Sequence, residues 1–289
     1  MAAQNICHHH RMKKAEAVMY PNGDGFMEKR RLLVAGRDVR MLYAAEKLSD
    51  IYDVEITGFD KDKISFYGKE IPERFISTGA KADVLLLPPV FNNKTFSDVS
   101  AAMERIRDGG TVLLGIKGEQ AEESAERKGL RHYNYMKDEI LALANAVPTA
   151  EAALKTAMEE TGRTIWGSRV LVIGFGRIGE ILTDRLIKLG ADVTAAARKE
   201  YDRMKIKTMG GKSSGIMPDK AVLSETDIIF NTVPAEIFGT EELMSLGENC
   251  VFIDLASKPG GIKKEAMSCM KCKYVWATGL PTYEMCFHK

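Results

Sequence analysis

Three glycines in the second half of the chain have the spacing of a phosphate-binding turn. Gly174, Gly176 and Gly179 follow the apolar run Arg169–Ile173 and precede a helical pattern over residues 177–189. In this setting the first glycine makes a tight turn, the second lets the backbone approach a pyrophosphate, and the third lets the helix pack closely on the strand. The helix N-terminus adds unpaired N–H groups and a partial positive charge. The pattern therefore predicts a dinucleotide site, with contacts from Gly174, Phe175, Gly176, Arg177, Ile178 and Gly179.

The end of the next predicted strand, Asp192–Ala197, indicates which dinucleotide is bound. An NAD site places Asp or Glu there to bind the ribose hydroxyls. This chain has Ala197, followed by Arg198 and Lys199. A missing acid and a nearby guanidinium suit a 2′-phosphate, so we expect NADP, with NAD as the alternative. The competing interpretation is that Arg198 and Lys199 only open a solvated helix.

Polar segments follow two further strands of the same half. Asn231, Thr232, Val233 and Pro234 follow one strand, and Asp254 closes the next. Residues at the carboxyl ends of parallel strands lie at the rim of the ligand crevice. We therefore expect these five residues in the cofactor site, although the first four also suit ordinary turn chemistry.

The first half carries arginines where a substrate could bind. Arg37 and Arg40 follow the predicted strand Arg31–Ala35, and Lys117 follows a strand over residues 111–114. Arginine suits bidentate pairing with a carboxylate, so these residues are candidates for binding a small dicarboxylate. Taken alone, each of these residues fits a surface charge better than a binding residue, and Asp38, between the two arginines, could neutralise them within the protein.

Short apolar strands alternate with helical patterns along the whole chain, which is typical of α/β domains with parallel sheets. We expect two Rossmann-like domains around a cleft, joined by a helical stretch over residues 137–161 that Pro148 kinks or splits. The predicted divisions are a disordered extension over 1–28, a substrate domain over 29–147, an NAD(P)-binding domain over 148–281 and a short tail over 282–289.

Composition excludes several other classes of protein. The 289 residues contain 41 Lys+Arg and 40 Asp+Glu, so the basic excess of a nucleic-acid-binding protein is absent. No apolar run reaches the roughly 18 residues of a membrane helix. Five cysteines, an odd number without a secretory signal, indicate a reducing cytoplasm. The pair Cys269 and Cys272 lacks a second pair of ligands, so no metal site is expected.

Histidine content bears on the reaction. His132 is the only histidine between His10 and His288. A hydroxy-acid dehydrogenase usually needs a histidine acid/base in its cleft, and this distribution argues against that chemistry.

The combination of segments resembles the dipicolinate synthase A-subunit family. The resemblance covers about residues 29–281. It rests on the following segments: Gly36–Arg40, Asn145–Glu151, Gly174–Gly179, Ala197-Arg198, Asn231–Pro234, Ile253–Gly261 and Gly279–Pro281. The family continues beyond Gly-Leu-Pro with a loop and a closing helix, and residues 282–289 depart from that pattern.

The resemblance implies two Rossmann-like domains, a partner B subunit, and oxidation of a dihydrodipicolinate-type precursor in the mother cell during sporulation. Arg37, Arg40 and Lys117 would then hold the substrate carboxylates. Asn145, Thr149 and Glu151 would line the interdomain side, and Glu151 or Asp38 would be the base. The alternatives are an NAD(P)-dependent dehydrogenase of another small carboxylic acid and a non-catalytic nucleotide-binding subunit; a homo-oligomer is compatible with each.

Overall fold

The computed structural model describes residues 19–21, 27–36, 38–59, 75, 79–89, 96–115 and 119–277. Contacts between residues divide the chain into two compact units, Met1–Leu141 and Ala142–Lys289. The sequence places the boundary six residues later, at 147/148. Both units are α/β, and the predicted fold class of two Rossmann-like domains with parallel sheets is confirmed. Within the described residues no helix is both long and apolar enough to cross a membrane.

The first described elements are two short strands, β1 (Met19–Pro21) and β2 (Met27–Lys29), which pair antiparallel. They correct the expectation of a disordered extension at those two segments. The sequence between them, Asn22–Gly25, is rich in turn-forming residues that favour chain reversal. The other residues of the predicted extension lie outside the described part of the chain.

The first unit is built on a five-stranded parallel sheet. Its elements are β3 (Arg31–Ala35), α1 (Val39–Leu48), β4 (Asp53–Thr57), β5 (Ala82–Leu86), α2 (Phe96–Glu104), β6 (Ile106–Leu114), α3 (Glu119–Arg127) and β7 (Arg131–Asn134), followed by a 3-10 turn, Tyr135–Lys137. The strand order is β4-β3-β5-β6-β7, as in flavodoxin-like sheets. Leu33, Leu85 and Val112 are fully buried in its core, as expected for strands covered on both faces.

The second unit contains a six-stranded parallel sheet. Its elements are α4 (Glu139–Thr161, beginning just before the unit boundary), β8 (Arg169–Ile173), α5 (Arg177–Lys188), β9 (Asp192–Ala196), α6 (Glu200–Thr208), β10 (Lys212–Ser214), α7 (Lys220–Glu225), β11 (Ile228–Asn231), α8 (Thr240–Met244), β12 (Val251–Asp254), a 3-10 helix (Lys264–Cys269) and β13 (Lys273–Trp276). The order β10-β9-β8-β11-β12-β13 is that of a dinucleotide-binding Rossmann sheet, which reverses between β8 and β11. That reversal is where such sheets bind ligands.

Helix α4 is continuous through Pro148, so of the two predicted outcomes, a kink or a split, the split does not occur. Proline removes one helical hydrogen bond and is tolerated only where other contacts offset that loss. Ala150 and Ala153 of this helix are buried in the core of the second unit. The guanidinium of Arg185 also donates to the Val147 carbonyl at 3.1 Å. Burial of this face of the helix therefore offsets the loss at Pro148.

The first strand along the chain in each parallel sheet, β3 or β8, begins with a hydrogen bond to an aspartate. The Asp83 carboxylate accepts from the N–H of Arg31 at 2.8 Å, and the Asp227 carboxylate accepts from the N–H of Arg169 at 2.8 Å. Each aspartate satisfies the first donor of β3 or β8 at the amino edge of its sheet. The loops that could bind ligands lie at the opposite, carboxyl edge of each sheet.

Candidate functional site

The three glycines after β8 have three different surroundings. At Gly174, where φ is +94°, an added Cβ would lie 2.5 Å from the Thr232 hydroxyl. At Gly179 an added Cβ would lie 2.1 Å from the carbonyl oxygen of Gly174. At Gly176 nothing lies within 4 Å of that position. Two glycines are thus required by packing, and the middle one leaves open space beside the backbone, as a pyrophosphate requires.

Helix α5 begins at this open position. Gly176 is its N-cap residue and provides no side-chain cap, so the first turn of the helix has N–H groups available for an anion. Phe175 and Ile178 pack against the hydrophobic core, whereas Arg177 is exposed. Of the residues predicted to contact the cofactor, Phe175 and Ile178 therefore stabilise the turn with their side chains.

The loop after β9 presents two accessible cations. Ala197 is buried, and Arg198 and Lys199 are exposed. Over the described residues, neither cationic side chain makes a hydrogen bond or ion pair. Arg203, which sequence reasoning missed, donates to the carbonyls of Ala197 at 3.1 Å and Arg198 at 2.7 Å. Arg203 therefore holds the backbone of this loop and leaves the two neighbouring cations accessible.

Asn231 and Asp254 are fully buried, and their side chains bind each other. Asn231 Nδ2 donates to Asp254 Oδ1 at 2.8 Å and to the Val233 carbonyl at 3.0 Å. Asp254 also accepts from the N–H groups of Ala256 and Gly261, at 3.1 and 2.7 Å. All of these bonds lie within the protein. These bonds give Asn231 and Asp254 a loop-positioning role, and their direct contact with a cofactor stays a prediction from the sequence.

The segment that follows β11 packs against the glycine turn. The Thr232 hydroxyl donates to the Ile173 carbonyl at 2.9 Å, and the Val233 side chain would lie 2.7 Å from a Cβ at Gly174. Pro234 is exposed. Thr232, Val233 and Pro234 therefore lie around the switch point between β8 and β11, where the sequence predicts them.

Two residues at the end of the sheet were not predicted as site residues. The Tyr274 hydroxyl donates to Asp254 Oδ2 at 3.3 Å, and burial together with the Asp254 charge raises the pKa of Tyr274 well above its usual value. Trp276 donates to the Ala256 carbonyl at 3.2 Å, and the Lys258 ammonium lies 6.0 Å from its ring centroid. Lys258 is exposed and adds a cation to the carboxyl edge of the sheet. The side chains of this strand, β13, carry no sequence motif.

In the first unit, Arg40 is bound to Asp38. Arg40 Nη2 lies 2.6 Å from Asp38 Oδ2, and Arg40 Nε lies 3.0 Å from Oδ1. The same carboxylate accepts from the Arg40 N–H and caps α1. Asp38 therefore neutralises Arg40 within the protein, which was the alternative to substrate binding in the sequence analysis. Arg37 and Lys117 lie outside the described residues.

Tyr135 lies beside this ion pair and was missed by sequence reasoning. Its hydroxyl donates to the Leu87 carbonyl at 2.8 Å, just beyond β5. Burial and the nearby Asp38 charge raise the pKa of Tyr135, so the phenol stays neutral. Asn134 donates to the Gly115 carbonyl at 3.1 Å and accepts from the N–H of Met136. The carboxyl edge of this sheet therefore holds a carboxylate, a guanidinium and a neutral phenol.

The candidates on α4 have local partners. Glu151 is half-exposed and lies 3.0 Å from Arg185 Nη2. The buried Thr149 hydroxyl donates to the carbonyl of Asn145 at 2.7 Å, and the Asn145 side chain is exposed. Both predicted bases, Glu151 and Asp38, are thus paired with arginine. His132 on β7 lies 3.4 Å from Glu122, and its contacts are with α3.

Comparisons with known proteins agree with this architecture. Residues 138–266 match the family model of the D-isomer specific 2-hydroxyacid dehydrogenase NAD-binding domain. The A subunit of dipicolinate synthase from Bacillus subtilis (strain 168) is 28% identical over 263 residues, covering 87% of this chain and 89% of that protein.

Two crystal structures of dipicolinate synthase A subunits have the same fold. The Bacillus halodurans structure matches with a TM-score of 0.73 and 26% identity, covering 89% of this chain and 93% of that one. The Bacillus subtilis structure matches with a TM-score of 0.69 and 25% identity, covering 89% and 92%. The chain is thus similar over most of its length to the A subunit of dipicolinate synthase, and residues 138–266 are similar to the NAD-binding domain of the D-isomer specific 2-hydroxyacid dehydrogenases.

Proposed function

We propose that this chain is an NADP-dependent oxidoreductase subunit that oxidises a dihydrodipicolinate-type precursor to dipicolinate. The observation that carries the proposal is the glycine turn, in which Gly174 and Gly179 are packed closely and Gly176 is open. A dinucleotide fits this turn because the open position adjoins the N-terminus of α5. The similarity to the A subunit of dipicolinate synthase supports the choice of substrate.

We assign cofactor binding to the second unit and substrate binding to the first. In the second unit, the backbone of residues 174–179 binds the pyrophosphate, and Arg198 with Lys199 binds the 2′-phosphate. In the first unit, Arg40 holds a substrate carboxylate, with Arg37 and Lys117 as further candidates. When bound, NADP accepts a hydride from the ring C–H of the substrate.

The reaction balances as dihydrodipicolinate plus NADP⁺ giving dipicolinate, NADPH and one proton. The ring loses a hydride from carbon and a proton from nitrogen, and becomes aromatic. Substrate binding would replace the Asp38 carboxylate on Arg40 by a substrate carboxylate. This exchange frees Asp38 to accept the ring proton, which favours it over Glu151 as the base.

A histidine-dependent hydroxy-acid dehydrogenase is a weaker candidate, although residues 138–266 match that family's cofactor domain. The acid/base histidine of such chemistry would have to be His132, and this residue pairs with Glu122. The relative from Bacillus subtilis is named as one subunit of a synthase, which supports a B-subunit partner. The product in that name supports a role in the mother cell of a sporulating organism.

Turnover tests the proposal. The full chain is incubated anaerobically with the precursor and NADP, with and without the partner subunit, and dipicolinate and NADPH are measured together. Equimolar formation of both supports the assignment. If dipicolinate forms equally fast without this chain, the chain does not catalyse the oxidation and is a nucleotide-binding partner subunit.

We expect Arg198→Ala to weaken NADP binding at least about tenfold and to leave NAD binding unchanged. One charge-assisted hydrogen bond contributes about 1.5–3 kcal/mol, and about 1.4 kcal/mol corresponds to tenfold in affinity. Calorimetric titration of both cofactors measures the effect. Lys207→Ala, an exposed lysine near the end of the following helix α6, is the control and should bind NADP normally. Equal affinities of the unaltered chain for NADP and NAD would contradict the assignment.

Arg40→Ala should weaken dipicolinate binding to the NADP-loaded chain about 30-fold. Removing one partner of a hydrogen-bonded charge pair costs about 2 kcal/mol or more, which corresponds to that factor. Arg31→Ala, at the opposite end of β3, is the matched control and should leave affinity unchanged. Asp38→Asn should not weaken binding, because it removes the competing carboxylate. Normal dipicolinate binding by Arg40→Ala would remove this loop from the site.

A further inference from the structure

Cys250 and Cys272 face each other across two neighbouring strands. β12 and β13 are parallel, with Val251 opposite Lys273, so the two cysteines lie opposite each other one residue earlier. The N–H of Lys273 donates to the Cys250 carbonyl at 3.2 Å. Neighbouring strands are about 4.8 Å apart, and the Cα atoms of disulfides are about 4.4–6.8 Å apart. The backbone therefore allows a bond between the two sulfurs with the sheet in place.

The two side chains point to the same side of the sheet. Both belong to one buried cluster that includes Leu171, Ile229 and Phe252. Both cysteines are free thiols in this structure. The two thiols also influence each other: the interaction between the side chains lowers the pKa of Cys272 and, together with burial, raises that of Cys250.

A cavity of about 230 Å³ at the amino edge of the sheet is lined by Cys250, the neighbour of Cys272 in this pair. Its lining includes Asp227, Asn249, Cys250 and Lys273, with Glu160 and Arg163 from the end of α4. These polar and charged groups make it suitable for water and small polar molecules. It lies at the edge opposite the glycine turn, since Asp227 precedes β11 and Gly174 follows β8. A chemical role for these sulfurs is thus separate from the proposed hydride transfer.

We propose that Cys250 and Cys272 form a redox-active dithiol, which hydrogen peroxide converts into a reversible disulfide joining β12 to β13.

The chemistry proceeds in two balanced steps. The Cys272 thiolate attacks one oxygen of hydrogen peroxide; an S–O bond forms, the O–O bond breaks, and the departing hydroxide takes up a proton to leave as water. The Cys250 sulfur then attacks the Cys272 sulfur; an S–S bond forms, the S–O bond breaks, and a second water leaves. Two thiols and one hydrogen peroxide give one disulfide and two waters. Thiolate character selects the cysteine that reacts first.

Peptide mapping of the full chain tests the proposal. The protein is treated with hydrogen peroxide, denatured, alkylated with iodoacetamide and digested with trypsin. Lys271 lies between Cys269 and Cys272, so the digestion separates these two cysteines. We expect loss of two of the five thiols, a peptide joining Cys250 to Cys272, and full recovery of both thiols with dithiothreitol. This measurement needs no substituted protein.

Serine variants identify which cysteines form the disulfide and which one reacts first with hydrogen peroxide. Cys250→Ser and Cys272→Ser should each abolish the two-thiol loss, and Cys250→Ser should leave a sulfenic acid on Cys272 that dimedone traps. Cys269→Ser, at the end of the 3-10 segment before Cys272, is the control and should form the disulfide at the normal rate. A Cys269–Cys272 link, or five unreacted thiols in the peroxide-treated chain, would overturn the proposal. Because NADP binding is read separately, failure here leaves the proposed function untouched.

Discussion

Gly176→Ala should bind NADP at least about tenfold more weakly than the unaltered chain while melting at the same temperature. The backbone at Gly176 is extended, with φ −85° and ψ −165°, a conformation that alanine adopts freely. Apart from the adjoining backbone, no described residue lies within 4 Å of the added methyl group. The methyl would instead occupy the space through which a pyrophosphate approaches the backbone, and a loss of about 1.4 kcal/mol corresponds to tenfold.

Gly179→Ala is the matched comparison and should fail in a different way. Its Cβ would lie 2.1 Å from the Gly174 carbonyl oxygen, so α5 must move away from the turn. Overpacking of this kind costs about 1–3 kcal/mol, and melting should fall by several degrees together with cofactor affinity. Calorimetry and thermal unfolding separate the two variants. Full NADP affinity in Gly176→Ala would show that the cofactor does not contact this turn.

Asp254→Asn should lower the melting temperature of the second unit by roughly 6–12 °C, on the basis of about 3 kcal/mol and 2–4 °C per kcal/mol for a domain of this size. The carboxylate is fully buried and accepts from Asn231, Ala256, Gly261 and Tyr274. An amide keeps the shape but turns a donor toward at least one of these donors. The loops after β11 and β12 would then lose their common anchor.

Tyr274→Phe is the control for Asp254, because it removes only the longest of these hydrogen bonds, at 3.3 Å. Its melting temperature should fall by a few degrees at most, since one net hydrogen bond contributes about 0.5–1.5 kcal/mol. Thermal unfolding followed by circular dichroism gives both values. If Asp254→Asn has the same melting temperature as the unaltered chain, the buried carboxylate does not hold these loops in place.

The fold was predictable where its signals are local. The glycine spacing, the apolar strand β8 and the switch to a helical pattern all agree on one βα turn, and the structure has that turn. The strand β10 was not predicted, because Lys212–Ser214 is short and polar and binds β9 through its backbone and a surface ion pair between Lys212 and Asp192. The strand predicted over residues 111–114 is longer in the structure, because Gly109 and Gly110 lie within β6, where the register with β5 shifts.

The candidate site was harder to predict because its partners are distant in sequence. Asn231 and Asp254 each end a strand, as expected, but their mutual hydrogen bond depends on β11 and β12 being neighbours. Arg203 and Tyr135 carry no motif, and their roles come from the backbone carbonyls they bind. The pairing of Arg40 with Asp38 is local, only two residues apart, and sequence reasoning raised it as the main alternative.

Isotope transfer tests the central claim most directly. A dihydrodipicolinate precursor carrying deuterium on the ring carbon that is oxidised is incubated with the full chain, NADP and the partner subunit. We expect the deuterium to appear at C4 of the nicotinamide in NADPH, in an amount equal to the dipicolinate formed, and transfer to fall sharply with Gly176→Ala. Dipicolinate formed with the deuterium released to water, or without NADPH, would contradict hydride transfer by this protein.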